Sequence, residues 1–457
     1  MDKNLNNEIP ENVRLKLDDT YKQILESKKD SKKSIRKVTK VAAIAATITT
    51  LTLSTGFALE YMIEYFKVNQ GSKYISTQEG VNSLNEVVNK SVTDKNIEFT
   101  VDSIAVDDNY INIFYTIKSD KNIKEIEKWY DNPLFAKPHM RLLANGEELY
   151  ETTMIEGEAS YISDTELKGI RRLNITHYEI PNKFNLDINI DEIFTQKGNW
   201  NIAMEVDKTE AVKNSKKYYI NKDFIVRKIY EDNKETITVD HEVNIDKVVI
   251  SPLGNQIVIK ENIKEIKPEW SAYIGYQFAL FDQDGHQLDT IDKGSIQNPG
   301  ITVNSYEFIN TNKELTSLKY VPIQYNEDVE DKRLGAKSID SLPIEFKVSK
   351  NGKWVIDKID IKDSEILIYA RKEGFVYSGL LASLMYCDEN GEQIEFDVES
   401  SPISDVASDR NSKNQIYSIK FSEKYKDGIN RIKSIDMYSE ESIELSTDQA
   451  IEMDLIK

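Results

Sequence analysis

Residue types able to cut bonds or hold a metal are few in this sequence, and they are scattered. The chain has four histidines, His139, His177, His241 and His286, and no two of them have the short spacing of an HExxH helix or a zinc finger. Its one cysteine, Cys387, closes the apolar run Leu384-Met385-Tyr386-Cys387 and reads as a small core residue of a strand. The glycine-rich phosphate loop, GxGxxG and GxSxG are all missing. Asp282-Gln283-Asp284-Gly285 spaces two carboxylates as a calcium loop does, but the remaining ligands are lacking, and a hairpin turn is expected. Asp107-Asp108-Asn109 likewise reads as a turn before a cation site. With 78 acidic residues, any two could be nominated as general acid and base, so such a nomination carries no information. The expectation is a protein that is not an enzyme, with no cofactor and no metal.

What organises the chain is charge. Residues 1–40 hold eleven Lys and Arg against seven Asp and Glu, a net of +4, whereas the whole chain is −19, which leaves −23 for residues 41–457. Between head and body lies Val41–Leu59, nineteen residues without a charge. At about 1.5 Å per residue they reach roughly 28 Å, close to the thickness of a hydrocarbon core of about 30 Å. Lys28, Lys29, Lys32, Lys33, Arg36, Lys37 and Lys40 precede this stretch, and Glu60 and Glu64 follow it. The asymmetry predicts a single-pass anchor in the cell membrane, N-terminus cytoplasmic and everything after Glu60 extracellular. A cleaved signal peptide would need an n-region of forty residues, and a buried core helix would not carry the basic flank. Contact with nucleic acid is disfavoured for a body of charge −23, and the basic run most simply meets lipid headgroups.

The body must be positioned by strands. Short alternating runs bounded by Asn, Asp, Gly and Pro predict antiparallel structure at Ile97–Asp102, Tyr110–Ile117, Asn199–Val206, Gln256–Lys260, Ala272–Phe281, Glu365–Tyr369 and Gln415–Phe421. A repeat is also present. Phe99-x-Val101-Asp102-x-Ile104-x-Val106 aligns with Val243-x-Ile245-Asp246-x-Val248-x-Ile250 and with Trp354-x-Ile356-Asp357-x-Ile359-x-Ile361. An Ile-x-Ile pair follows in each copy (Ile111 and Ile113, Ile257 and Ile259, Ile366 and Ile368), then Asn145-Gly146, Asp284-Gly285 or Asn390-Gly391 as a hairpin turn. Apolar positions change parity across each aspartate, which a period-2 strand does only through a bulge, so Asp102, Asp246 and Asp357 are expected at three equivalent bulges. One cysteine allows no internal disulfide, so each domain needs its own core.

The expected fold class is therefore mainly β: one transmembrane helix followed by three tandem immunoglobulin-like β-sandwich domains. The expected divisions are a cytoplasmic tail at 1–40, the membrane helix at 41–59 and a helical juxtamembrane segment at 60–92, in which Glu60–Val68 extends the anchor helix and Glu79–Lys90 forms a short helix. Sandwiches follow at 93–210, 216–348 and 349–457, with Lys208–Lys217 as a polar linker and Ser349–Lys353 as the second boundary. In the tail, Ile9-Pro10-Glu11 opens a helix whose apolar stripe is Ile9, Val13, Leu17 and Ile24, with Tyr21 at its edge. Such a helix either rests on the inner leaflet or docks in a groove on a protein partner. Val13, Leu17, Tyr21 and Ile24 are the candidate partner-binding residues.

The opening IPExVxLKLDDTYKQI, the basic run, the single anchor and VTDKNIEFTVDSIAVDD together resemble bacterial proteins carrying domain of unknown function 4179, over about residues 8–125. Members are often described as negative effectors, or anti-sigma factors, of ECF-type sigma factors, and no catalytic residues come with the family. The stretch Val243–Ile259 is similar to domain of unknown function 5643, an immunoglobulin-like unit. The resemblance implies a membrane-anchored, anti-sigma-factor-like regulator: an extracellular sensor or scaffold outside, and a helix that binds an ECF-type sigma factor inside. The alternative is a cell-surface binding or adhesive protein whose tail is only an anchor.

Overall fold

The computed structural model describes Leu84–Ile456 apart from residues 129–135, 137, 151–156, 233–234, 263–270, 275–276, 299, 309–314, 327, 362–364, 395–403, 408–414 and 421–425. All of these described residues fall in the larger of two units of the chain, Leu59–Lys457. The tail helix, Val41–Leu59 and Glu60–Val68 lie outside the described residues. Among those described, no helix is long and apolar enough to cross a membrane.

The fold is mainly β, built of several antiparallel sheets with few helices, and the longest described helix, Lys426–Arg431, has six residues. The first group of strands is β1 (Asn85–Asp94), β2 (Ile97–Val106), β3 (Tyr110–Ser119), β4 (Arg141–Ala144), β5 (Glu147–Leu149), β6 (Gly157–Ser163), β7 (Glu166–Asn174), β8 (Lys183–Ile193) and β9 (Gln196–Asp207). They form two sheets, ordered β1-β2-β3-β7-β6 and β5-β4-β8-β9. Alternation along β8 and β9 turns one face of each strand inward, so Phe184, Leu186, Ile188, Trp200 and Ile202 meet Phe99, Ile113 and Leu167 of the other sheet in one apolar core. Trp200 is fully buried there and its indole N–H donates to Ile97 O across the sheets at 2.8 Å, satisfying the one polar atom its burial would strand.

The second group is β10 (Lys216–Asp232), β11 (Glu235–Ile250), β12 (Asn255–Asn262), β13 (Ser271–Ile274), β14 (Gln277–Asp282), β15 (Gln287–Leu288), β16 (Thr290–Asn298), β17 (Ile301–Phe308) and β18 (Ser317–Tyr325). Its sheets are β13-β10-β11-β12-β17-β16 and β15-β14-β18, joined through Ile245, Ile257, Leu280, Phe308 and Tyr320. The third group is β19 (Lys337–Ser338), β20 (Ile344–Phe346), β21 (Gly352–Ile361), β22 (Glu365–Gly374), β23 (Leu384–Cys387), β24 (Ser404–Ala407), β25 (Gln415–Lys420) and β26 (Ser434–Met437). Here the sheets are β19-β26-β23 and β20-β21-β22-β25-β24, around Phe346, Trp354, Ile356, Ile368, Ile435 and Met437. The last strands, β27 (Ile443–Leu445) and β28 (Ile451–Asp454), both pair with β18, and Met453 and Leu455 enter the second core.

Strands β27 and β28, inside the expected division 349–457, thus add to a sheet of the second group. At the expected boundary Ser349–Lys353, β20 pairs with β21 across it, and Leu334, Ile339 and Leu342 pack on the third core. Lys208–Lys217 is no loose linker, since it contains the helix Thr209–Lys213 and begins β10. The run Ala272–Phe281 divides between β13 and β14, which belong to different sheets. The helix expected over Glu79–Lys90 gives way to strand from Asn85, where β1 pairs with β2 and takes a bulge between Val87 and Lys90.

The three bulges fall where parity predicts them. Pairing shifts between Val101 and Ser103, between Ile245 and Lys247, and between Ile356 and Lys358, so Asp102, Asp246 and Asp357 are the extra residue each time. The same registers match Ile113 with Ile257 and Ile368, so the Ile-x-Ile pair expected in the second copy is displaced by two residues.

Candidate functional site

Each bulge aspartate reaches a partner fourteen positions on, across the hairpin. Asp102 accepts from the Thr116 hydroxyl at 2.7 Å, Asp246 pairs with Lys260 at 2.6 Å, and Asp357 meets Arg371 at 3.2 Å. The bulge turns each carboxylate sideways toward the next strand, and the partner's type then sets its electrostatics. Asp102 has only a hydroxyl, and burial pushes its carboxyl up to about 6 despite that hydrogen bond and the nearby Lys168. These are structural pairings, not a shared ligand site.

A buried polar assembly lies where the first and second groups of strands meet. It is made by the β2–β3 turn (Asp107–Asn109), Tyr110 of β3, Arg172 and Asn174 of β7, the β11–β12 turn (Ser251–Gly254) and Glu307 of β17. Arg172 and Glu307 are both about 1% exposed and form a two-armed ion pair at 3.0 and 3.1 Å. Arg172 also donates to Leu253 O at 2.7 Å, and its guanidinium lies 3.5 Å from the centre of the Tyr110 ring. A guanidinium held at both terminal nitrogens by a carboxylate and a carbonyl, with a ring face against it, tolerates burial that a single charge would not. Asp107, wholly buried, takes the N–H groups of Asn109, Tyr110 and Leu253 at 2.7, 2.9 and 2.8 Å. Asn109 donates to Ser251 Oγ, Gly254 O and Val249 O, and Thr176 to Gln256. Lys208, from the expected linker, holds Asp108 at 2.8 Å, and Lys247 donates to Thr176 O at 2.9 Å.

Two titratable groups of this joint shift in ways that oppose each other. Burial raises the Asp107 carboxyl above its ordinary value, outweighing the Ser251 and backbone hydrogen bonds, so acid favours its buried form. Burial, with Lys247 alongside, lowers the His177 imidazole to about 4, so acid opposes its burial. The arrangement closes on itself: Arg172 is paired with Glu307 and Lys208 with Asp108, while Asp107 is met by backbone N–H groups. It can hold two bodies together.

Elsewhere, Asp282, Asp284 and His286 lie close enough to share a cation, but Asp282 Oδ1 is occupied by the N–H groups of Asp284 and His286, closing the expected turn. A cleft of about 750 Å³ is lined by Arg333, Asp388, Asn390, Lys433 and Asp436, and the last is neutralised by Arg333 at 2.8 Å. Cys387 is buried, as a core strand residue should be. Val13, Leu17, Tyr21 and Ile24 lie outside the described residues. Sequence reading missed Arg172 and Glu307. The available signal was Arg171-Arg172 flanked by Gly169-Ile170 and Leu173 in mid-strand, where an unpaired buried charge would be too costly to keep.

Residues 30–119 match the family model described as domain of unknown function (DUF4179). No curated protein matches the chain. Among solved structures, one described as the crystal structure of the conserved domain protein from Bacillus anthracis is similar at 15% identity, with a TM-score of 0.40, over 58% of this chain and 87% of that one. These comparisons give no support to the resemblance read in Val243–Ile259 or to a sigma-factor role. What they establish is that the stretch from the basic run through the uncharged segment to the end of β3 is similar to one domain of unknown function.

Proposed function

We propose that this protein is a membrane-anchored regulator, anti-sigma-factor-like, with an extracellular array of three immunoglobulin-like β-sandwiches as sensor or scaffold. Its cytoplasmic helix, bearing Val13, Leu17, Tyr21 and Ile24, binds an ECF-type sigma factor. The observation that carries the reading is the extent of the matched unit. Residues 30–119 take in most of the basic run, all of Val41–Leu59 and the strands β1–β3, so the charged flank, the apolar stretch and the first strands recur together. A basic flank, a span-length apolar stretch and an acidic β-rich body in that order are what the positive-inside rule requires of a single-pass anchor. The two sheets of each group, closed on one apolar core, support the sandwich assignment, and the threefold bulge supports a common repeat.

Topology tests the first half of this. Protease added to intact, wall-stripped cells is expected to digest the β-rich region and spare an epitope placed at residue 5. Loss of that epitope under the same conditions would overturn the assignment.

A further inference from the structure

The joint between the first and second groups pairs like with like. The pairing registers of β2–β3 and β11–β12 correspond without a gap: Val101 opposes Tyr115 as Ile245 opposes Ile259, and each member of one pair lies 144 positions from its counterpart. On that correspondence Asp107 matches Ser251, Asn109 matches Leu253 and Tyr110 matches Gly254. Arg172 faces Asn112 across β7 just as Glu307 faces Gln256 across β17, so Arg172 and Glu307 are equivalent as well. The contacts are then reciprocal. Asp107 of the first copy takes the Leu253 N–H of the second, and Asn109 of the first donates to Ser251 of the second. The equivalent residues Arg172 and Glu307 bind each other. Gly254 sits against its own counterpart: a Cβ there would fall 2.9 Å from the Tyr110 ring, 2.9 Å from Arg172 and 2.5 Å from Glu307, and its φ of +147° suits glycine alone.

We infer that the first two copies of the repeat are clasped through one and the same surface, related by a local two-fold, and that this clasp makes residues 85–325 a single lever. Reciprocal pairing of one patch with its equivalent is the geometry of a two-fold dimer interface, here built within one chain. It acts as a lock because its members are interdependent. Any sliding of one turn on the other strands Arg172, Glu307 and Asp107 together in a dry setting, and leaving buried charge unpaired is strongly unfavourable. Displacement of the second copy is therefore passed to β1 as motion of a whole body, not absorbed at the connection Lys208–Lys217. The inference concerns the β-rich region only and stands whether or not the tail binds a sigma factor.

Distance measurements between spin labels test it in the full chain. Labels are placed at the exposed sites Asp191→Cys and Asp284→Cys, with Cys387→Ala to leave no other thiol. The intact clasp is expected to give one narrow distance. Arg172→Glu should destroy it by setting two carboxylates against each other, and Arg172→Glu with Glu307→Arg should recover most of it, because the exchanged positions are equivalent. Should Arg172→Glu fail to fold, Gly254→Ala, which keeps every charge, and Asn109→Ala, which removes one reciprocal arm, are each expected to broaden the distribution. A broad distribution in the parent chain overturns the inference, as does a narrow distance that survives all these substitutions.

Discussion

Asp102 is worth perturbing because its cost follows from its surroundings. Its carboxyl ionises at about 6 in the folded chain, against 3.8 for an unperturbed side chain, mainly because burial penalises the charge. The folded state therefore binds a proton that the unfolded state has released between those two values. Stability from this group is fully present below about pH 4 and is lost as pH rises through 6. A gap of about two pH units corresponds to roughly 3 kcal/mol at most, at about 1.4 kcal/mol per unit, and partial exposure reduces this toward 1–2 kcal/mol. Asp102→Asn keeps an acceptor for the Thr116 hydroxyl and carries no charge, so it should stabilise the first group of strands at pH 8 and be close to neutral at pH 4. The assay is hydrogen exchange of the β3 amides in the full chain, corrected for intrinsic rate, from pH 4 to 8. Protection in the parent is expected to fall by about a decade (roughly 0.7 to 1.5) across that range relative to the variant. Parallel pH profiles for parent and variant would refute the reasoning.

Other perturbations separate the parts of the fold. Removing residues 443–457 should destabilise the second group of strands while sparing the third, seen as new protease cleavage within 216–325 but not within 337–438. Trp200→Ala should cost about 3–5 kcal/mol in the first denaturant transition, as large cavities in closed cores do. Lys260→Ala and Arg371→Ala, which remove the half-exposed partners of Asp246 and Asp357, should each cost no more than about 1 kcal/mol by the same measure. Charges placed at Val101, Ile245 or Ile356 should each unfold their own group first, read by hydrogen exchange, since each site is completely buried.

What could be read from the sequence was what is local. The parity slip at Asp102, Asp246 and Asp357 needs only neighbouring residues and the period of a strand, and the bulges are there. Asn145-Gly146 has positive φ at both residues, 51° and 83°, as the tight turn between β4 and β5 demands. The joint was hidden because its members are distant: Arg172 and Glu307 are 135 residues apart, and nothing in either strand names the other. The return of β27 and β28 to β18 was hidden for the same reason, since an alternating tail records that it is a strand but not which edge it joins. The helix expected up to Lys90 failed because a short polar-apolar run fits either period, and pairing with β2 decided the matter.

The central claim rests on the tail. Each aliphatic anchor buried in a partner groove contributes roughly 1.5–3 kcal/mol, so Val13, Leu17 and Ile24 replaced together by alanine should weaken binding by several orders of magnitude. The direct measurement is recovery of the ECF-type sigma factor encoded nearest this gene with the whole chain, extracted from cells in detergent, against that triple variant. The sigma factor is expected to be recovered with the parent chain and lost with the variant, while Arg14→Ala and Lys22→Ala, which a helix there would turn away from the apolar stripe, leave recovery unchanged. Equal recovery with parent and triple variant, or none with either, would contradict it.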